Sequence, residues 1–133
     1  MTWLFKTIRP TRGFVRRTFE SAVYDPASIP EDMYARAYEL SQDPKMTRAF
    51  ALVYAGAMQE FLHLARLHAR LAEWKGPTLL VWGGEDRYIP VRALENARLV
   101  FPQASVHVLE HCGHCPPVEY PDQVAQLLIE AGA

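Results

Sequence analysis

Residues 77–90 run Pro77-Thr-Leu-Leu-Val-Trp-Gly-Gly-Glu-Asp86-Arg-Tyr-Ile-Pro90, and their reading decides the fold. Thr78 to Trp82 is a continuous apolar run between Pro77 and the pair Gly83-Gly84, which suits a strand buried on both faces of a parallel sheet. The glycines turn the chain, and Asp86 follows at the strand's carboxyl end, the edge where open α/β sheets bind ligands. Further on, Arg92 to Val100 reads as a helix. Ser105 to Leu109, rich in β-branched residues, is a second strand, and Asp122 to Glu130, with Val124, Leu127 and Leu128, is a closing helix. The order strand, helix, strand, helix implies right-handed crossovers and a parallel sheet, so the fold class is α/β. Two parallel strands alone leave long edges; something is expected to cover them, and an uncovered edge would favour self-association.

Upstream the texture changes near Lys75, Gly76 and Pro77, and the chain divides into residues 1–75 and 76–133. Ser28, Ile29, Pro30 and Glu31 read as a helix start, with Ser28 as the cap and Glu31 reciprocating. Tyr34, Ala37, Tyr38 and Ser41 follow at helical spacing. Asp43-Pro44 begins a second helix, with Met46, Ala49, Phe50, Val53 and Ala57 as its apolar stripe. Gly56 is a candidate break before a third helix with Phe61, Leu64, Ala65, Leu67, His68, Leu71 and Trp74 on one face. Residues 1–75 therefore read as all-helical.

The second strand leads into His111-Cys-Gly113-His114-Cys-Pro-Pro-Val-Glu119-Tyr-Pro121. Adjacent parallel strands bring His114 to the same rim as Asp86. A carboxylate accepting one imidazole N–H fixes the tautomer, leaves the other nitrogen as a base and stabilises the imidazolium that forms. The plainer readings are that Asp86 caps its own turn and that His114 is an ordinary loop histidine. His63, His68, His107 and His111 have no partner pattern and are read as packed or solvated. Glu119, before Pro121, is read as shaping the entry to the last helix.

The sequence of strand, Gly-x-x-Asp with a Pro four residues on, second strand, Gly-His and Glu-x-Pro resembles the C-terminal signature of the α/β-hydrolase family. The resemblance covers residues 77–133. It implies a partial α/β-hydrolase fold, with residues 1–75 as the helical lid and 76–133 as the C-terminal part of the core. By resemblance Asp86 is the catalytic acid and His114 the base. Tyr24-Asp25-Pro26 and the helix after it are similar to lids of esterase-like and carbon–carbon-bond hydrolase members. The implied function is hydrolysis of a small organic ester or related molecule by a nucleophile, a histidine and an acid.

Family members carry the nucleophile upstream on a Gly-x-Ser-x-Gly elbow. Ser21, Ser28, Ser41 and Ser105 are the four serines, and none has the flanking glycines. No nucleophile is assigned, so the expectation is a fragment that works with a missing N-terminal half. Members with an Asp nucleophile act as dehalogenases and epoxide hydrolases, and the elbow residue separates these from esterases. The alternative, from another class, is an inactive truncated interaction module.

Charge and cysteine usage narrow the partners. A net charge of -1 supplies no field for nucleic acid or an anionic membrane, although residues 1–75 carry 11 Lys+Arg against 8 Asp+Glu and residues 76–133 carry 3 against 7. The basic opening of Lys6, Arg9, Arg12, Arg16 and Arg17 allows a transit-peptide reading, whereas Pro10-Thr11-Arg12 interrupts a secretory signal. The apolar run Ala49 to Met58 is about half of the ~20 residues a bilayer-spanning helix needs. Cys112 and Cys115 are too close in sequence to staple distant segments, so a reducing, cytoplasmic setting is expected. Cys112-Gly-His-Cys115 also reproduces a disulfide-isomerase motif, which makes a dithiol redox protein the third reading. Zinc is disfavoured, because structural sites usually combine two separated ligand pairs. A small-molecule substrate is expected, with no cofactor and no metal.

Overall fold

The computed structural model describes residues 9–61, 70, 71 and 73–132. Three helices come first: α1 (Arg12–Ala22), α2 (Glu31–Gln42) and α3 (Pro44–Phe61). Strand β1 (Leu79–Gly83), helix α4 (Leu94–Val100), strand β2 (Ser105–Leu109) and helices α5 (Pro116–Glu119) and α6 (Pro121–Glu130) complete the chain. The strands pair in parallel, from Leu79 opposite Ser105 to Gly83 opposite Leu109, so both point their carboxyl ends at one rim. This is the strand-helix-strand-helix order expected of the α/β class.

Helix α1 falls within the stretch expected to be all-helical, although no start is assigned to it there. Thr11 caps it, its side chain accepting the Phe14 N–H at 3.2 Å. Val15 and Phe19 then fall on one face at a spacing of four, and Val15 is buried. Arg12 and Arg16 lie over the rings of Tyr38 and Tyr34, and Arg16 also pairs with Glu31 at 2.6 Å. These arginines belong to a folded helix from Arg12 onward; Lys6 lies outside the described residues.

Ser28 does not cap α2. It ends a single 3-10 turn, Pro26–Ser28, whose cap is Asp25, and its hydroxyl donates to the Asp25 carbonyl at 2.7 Å. Glu31 has turned to Arg16 instead of closing a capping box. Asp43 does cap α3, accepting the Lys45 N–H at 2.8 Å. Gly56 is no break, since α3 continues through it to Phe61. The expected stripe of α3 is uncovered: Met46, Phe50 and Val53 are all exposed. Most of the expected third helix, with His63 and His68, lies outside the described residues.

The strand expected at Thr78 to Trp82 is shifted by one residue, and only Gly83 of β1 is buried. A two-stranded sheet cannot cover both faces, so Leu79 to Trp82 are half-buried. The helix expected from Arg92 opens with a 3-10 turn, Val91–Ala93, before the α-helix begins at Leu94.

One core cluster joins the two ends of the chain. Val23, Ile29 and Tyr34 are buried, with Phe19, Met33, Cys115 and Val118 packed against them. Burying each such side chain is worth roughly 1.5–3 kcal/mol. This packing, rather than the small sheet, holds α1 and α2 against the loop that carries His114.

Candidate active site

The loops after the two strands are stitched together by backbone. Gly84 N–H donates to the Leu109 carbonyl at 2.8 Å and Glu85 N–H to the Cys112 carbonyl at 3.0 Å. The Glu85 carboxylate accepts the Cys112 N–H at 3.1 Å. This approach is so close that a Cβ on Gly83 would sit 1.9 Å from the Gly113 carbonyl oxygen. Gly83, at the end of the apolar strand, is therefore a steric requirement of the site.

Asp86 and His114 meet at the rim. Asp86 Oδ2 lies 2.9 Å from His114 Nδ1, while Asp86 Oδ1 accepts the N–H groups of Tyr88 at 2.8 Å and Ile89 at 2.9 Å. The plainer reading of Asp86 is thus half satisfied, because one oxygen orders its own turn and the other faces the imidazole. Burial pushes the Asp86 carboxyl up, but the bonds from Ile89 N–H, His114 and Tyr88 N–H outweigh it and hold it below the ordinary value of 3.8. An ionised carboxylate only accepts hydrogen bonds, so the His114 proton sits on Nδ1 and Nε2 is left as the base. The imidazole is 39% exposed against 6% for the Asp86 side chain, so its free edge is reachable.

A sign follows for acid stability. A folded-state value below the unfolded one lends stability that is complete above the ordinary carboxyl range and is lost as pH falls through the folded value. Melting temperature should therefore drop from about pH 4 downward, and less steeply in Asp86→Asn. Parallel acid limbs in the two proteins would contradict this.

The His114 loop is tied to the helical part through Glu119. One carboxylate oxygen accepts Gly113 N–H at 2.7 Å, and the other accepts Tyr24 N–H at 2.7 Å and Asp25 N–H at 3.4 Å. His114 N–H adds a bond to the Ala22 carbonyl at 2.7 Å. Glu119 does stand at the junction of α5 and α6, as expected, and it also clamps residues 113–114 to 22–25. Its only signal in sequence was the Glu-x-Pro pattern.

Cys112 is fully buried, and burial together with Glu119 pushes its thiol up to about 12. Burial also raises Cys115. A dithiol redox centre needs an accessible thiol of lowered pKa, and the full burial of Cys112 speaks against the redox reading. Among the described residues no three His, Cys, Asp or Glu side chains are grouped to hold a metal ion. His107 bonds to Ser105, and His111, at φ 55°, stands beside the Tyr24 ring. The four serine hydroxyls are all engaged elsewhere than on His114: Ser21 with Thr18 and Tyr88, Ser28 with Asp25, Ser41 with Tyr38, Ser105 with His107.

The profile of the alpha/beta hydrolase family matches residues 1–127. The chain belongs to that family. It is 27% identical over 123 residues to 2-hydroxy-6-oxononadienedioate/2-hydroxy-6-oxononatrienedioate hydrolase 2 of Pseudomonas putida, covering 91% of this chain and 42% of the relative. To a similarly named hydrolase of Burkholderia vietnamiensis it is 36% identical over 127 residues, covering 91% and 41%. The chain thus spans less than half the length of these curated relatives. Among solved structures, the 2-hydroxy-6-oxo-6-phenylhexa-2,4-dienoate hydrolase of a Rhodococcus species superposes with a TM-score of 0.77 at 25% identity, over 92% of this chain and 44% of that one. A meta-cleavage product hydrolase superposes with a TM-score of 0.75 at 20% identity, over 98% and 48%, and at that identity shares the fold alone. Among the described residues no helix is long and apolar enough to cross a membrane.

Proposed function

We propose that residues 76–133 supply the histidine and acid of an α/β-hydrolase acting on a small organic carbonyl compound, with residues 1–75 as its lid. The substrate is an ester or a related molecule such as the 2-hydroxy-6-oxo acids in the relatives' names. The reading is carried by the 2.9 Å contact between a buried, ionised Asp86 and a half-exposed His114 at the carboxyl rim of a parallel sheet. His114 Nε2 takes the proton of a nucleophile as it attacks the substrate carbonyl. Asp86 stabilises the imidazolium, and that proton then passes to the leaving group. The nucleophile elbow, and the N–H groups that would hold the developing oxyanion, are assigned to polypeptide outside these 133 residues. The relatives' greater length leaves room for both.

A second reading is a non-catalytic binding module. The exposed apolar side chains of α3 favour it, with Phe50, Leu52, Val53 and Tyr54 each 59–71% exposed. Steady-state assay of the full encoded polypeptide that contains these residues, on carbonyl esters and 2-hydroxy-6-oxo acids, separates the two. Turnover that falls by about 10^3 or more in His114→Ala supports the hydrolase. Turnover that survives the change defeats the role given to His114, and no turnover of any substrate leaves the binding module as the better reading.

A further inference from the structure

Tyr88 occupies a place that the histidine-acid pair does not explain. Its backbone N–H serves Asp86, but its ring reaches out beside the imidazole, with centroids 5.3 Å apart and planes tilted by 52°. Its hydroxyl lies 2.7 Å from Ser21 Oγ on α1. More than half of its surface is exposed, and the His114 imidazole beside it is itself partly open to solvent. The aromatic side chain therefore spans from the acid turn across the histidine to the helical part.

The direction of the Ser21–Tyr88 bond follows from counting protons. Each hydroxyl has one to give. Ser21 gives its proton to the Thr18 carbonyl at 2.8 Å, the familiar back-bond of a serine within a helix. Ser21 Oγ must then accept from Tyr88, and the chain runs from Tyr88 hydroxyl to Ser21 Oγ to Thr18 carbonyl. The phenol has no proton left for a ligand, only lone pairs. Beside the histidine it is an acceptor.

We infer that Tyr88, its proton committed to Ser21, is a specificity-determining residue that favours a substrate carrying a hydrogen-bond donor, a hydroxyl or an N–H, next to the group that His114 serves, and that disfavours a carboxylate there. The inference rests on the hydrolase reading and deepens it. A donor meets the phenol's free lone pairs, whereas a carboxylate meets them with lone pairs of its own. Replacing Ser21 removes the acceptor that holds the phenol's proton. Tyr88 is then able to donate, and the preference should turn toward the anion.

Three otherwise identical substrates, bearing a hydroxyl, its methyl ether or a carboxylate beside the scissile carbonyl, test this in the full encoded polypeptide. The unsubstituted protein should favour the hydroxyl over the ether by about tenfold in kcat/KM, the effect of one hydrogen bond. Tyr88→Phe should bring that ratio near one, and Ser21→Ala should raise the carboxylate relative to the ether several-fold. A tenfold preference that persists in Tyr88→Phe overturns the proposal while leaving the hydrolase reading intact. So does a native ratio near one. If none of the three is turned over, the hydrolase reading is what has failed. The same ratio is then read from binding of the three compounds, followed by the NMR shifts of the His114 ring protons, and equal affinities of hydroxyl and ether would reject Tyr88's role as well.

Discussion

Asp86→Asn is expected to lower kcat on the order of 10^4-fold, about 5.5 kcal/mol in barrier height, with little change in KM. The loss arises from a proton in the wrong place. The remaining amide oxygen keeps the turn by accepting the N–H groups that Tyr88 and Ile89 now direct at Oδ1. The amide NH2 is then left facing His114 Nδ1, where Oδ2 stood at 2.9 Å. Two donors cannot face each other, so the imidazole must put its proton on Nε2, and the base needed to activate a nucleophile is gone. Substrate contacts are untouched, which confines the effect to kcat. Steady-state kinetics of the full encoded polypeptide, with a melt at neutral pH to show that folding survives, make the check. A drop of less than tenfold would remove Asp86 from the mechanism.

How far the sequence disclosed this arrangement depends on the range of the interaction concerned. The pairing of Asp86 with His114 was legible, because each follows its own strand and parallel strands deliver their carboxyl ends to one rim. β2 and the helix start at Pro44 were legible to the residue, since apolar spacing and turn residues are local signals, whereas the cap of α2 falls at Pro30, two residues beyond the Ser28 expected for it. Misreadings arose where a local pattern competed with a distant partner. Ser28-x-x-Glu31 has the spacing of a capping box, yet Asp25 holds the serine and Arg16 attracts the glutamate. The packing roles of Arg12 and Arg16 were not legible, because the tyrosine rings that receive them, on α2, are more than a dozen residues away. Glu119 and Tyr88 escaped notice as links to the helical part for the same reason: their partners Tyr24 and Ser21 are far away in sequence, and no spacing rule connects them. The burial expected for β1 failed on a different ground. A run of apolar residues measures what a strand is able to bury, not how many neighbours it has.

The same substitution at two glycines should have opposite signs, and the contrast tests the geometry of the site more sharply than either alone. At Gly83 an added methyl would lie 1.9 Å from the Gly113 carbonyl oxygen and 2.5 Å from that of Cys112. Both atoms are backbone, so no rotamer change relieves the contact, and the β1 end must separate from the loop that carries His114. That movement strains the bonds of Gly84 to Leu109 and of Glu85 to Cys112. Gly83→Ala is therefore expected to destabilise on the order of 3 kcal/mol, lowering Tm by about 10 °C, and to reduce turnover by displacing His114 from Asp86. At Gly56, inside α3, a Cβ would meet nothing within 4 Å. There an alanine restricts the unfolded chain without a clash, so Gly56→Ala should stabilise by about 0.5–1 kcal/mol. Thermal melts of the two variants beside the parent protein decide the matter. If Gly83→Ala melted with the parent, the two loops would not approach as closely as the carbonyl contact requires, and the hydrogen bond between Asp86 and His114 would lose its structural support.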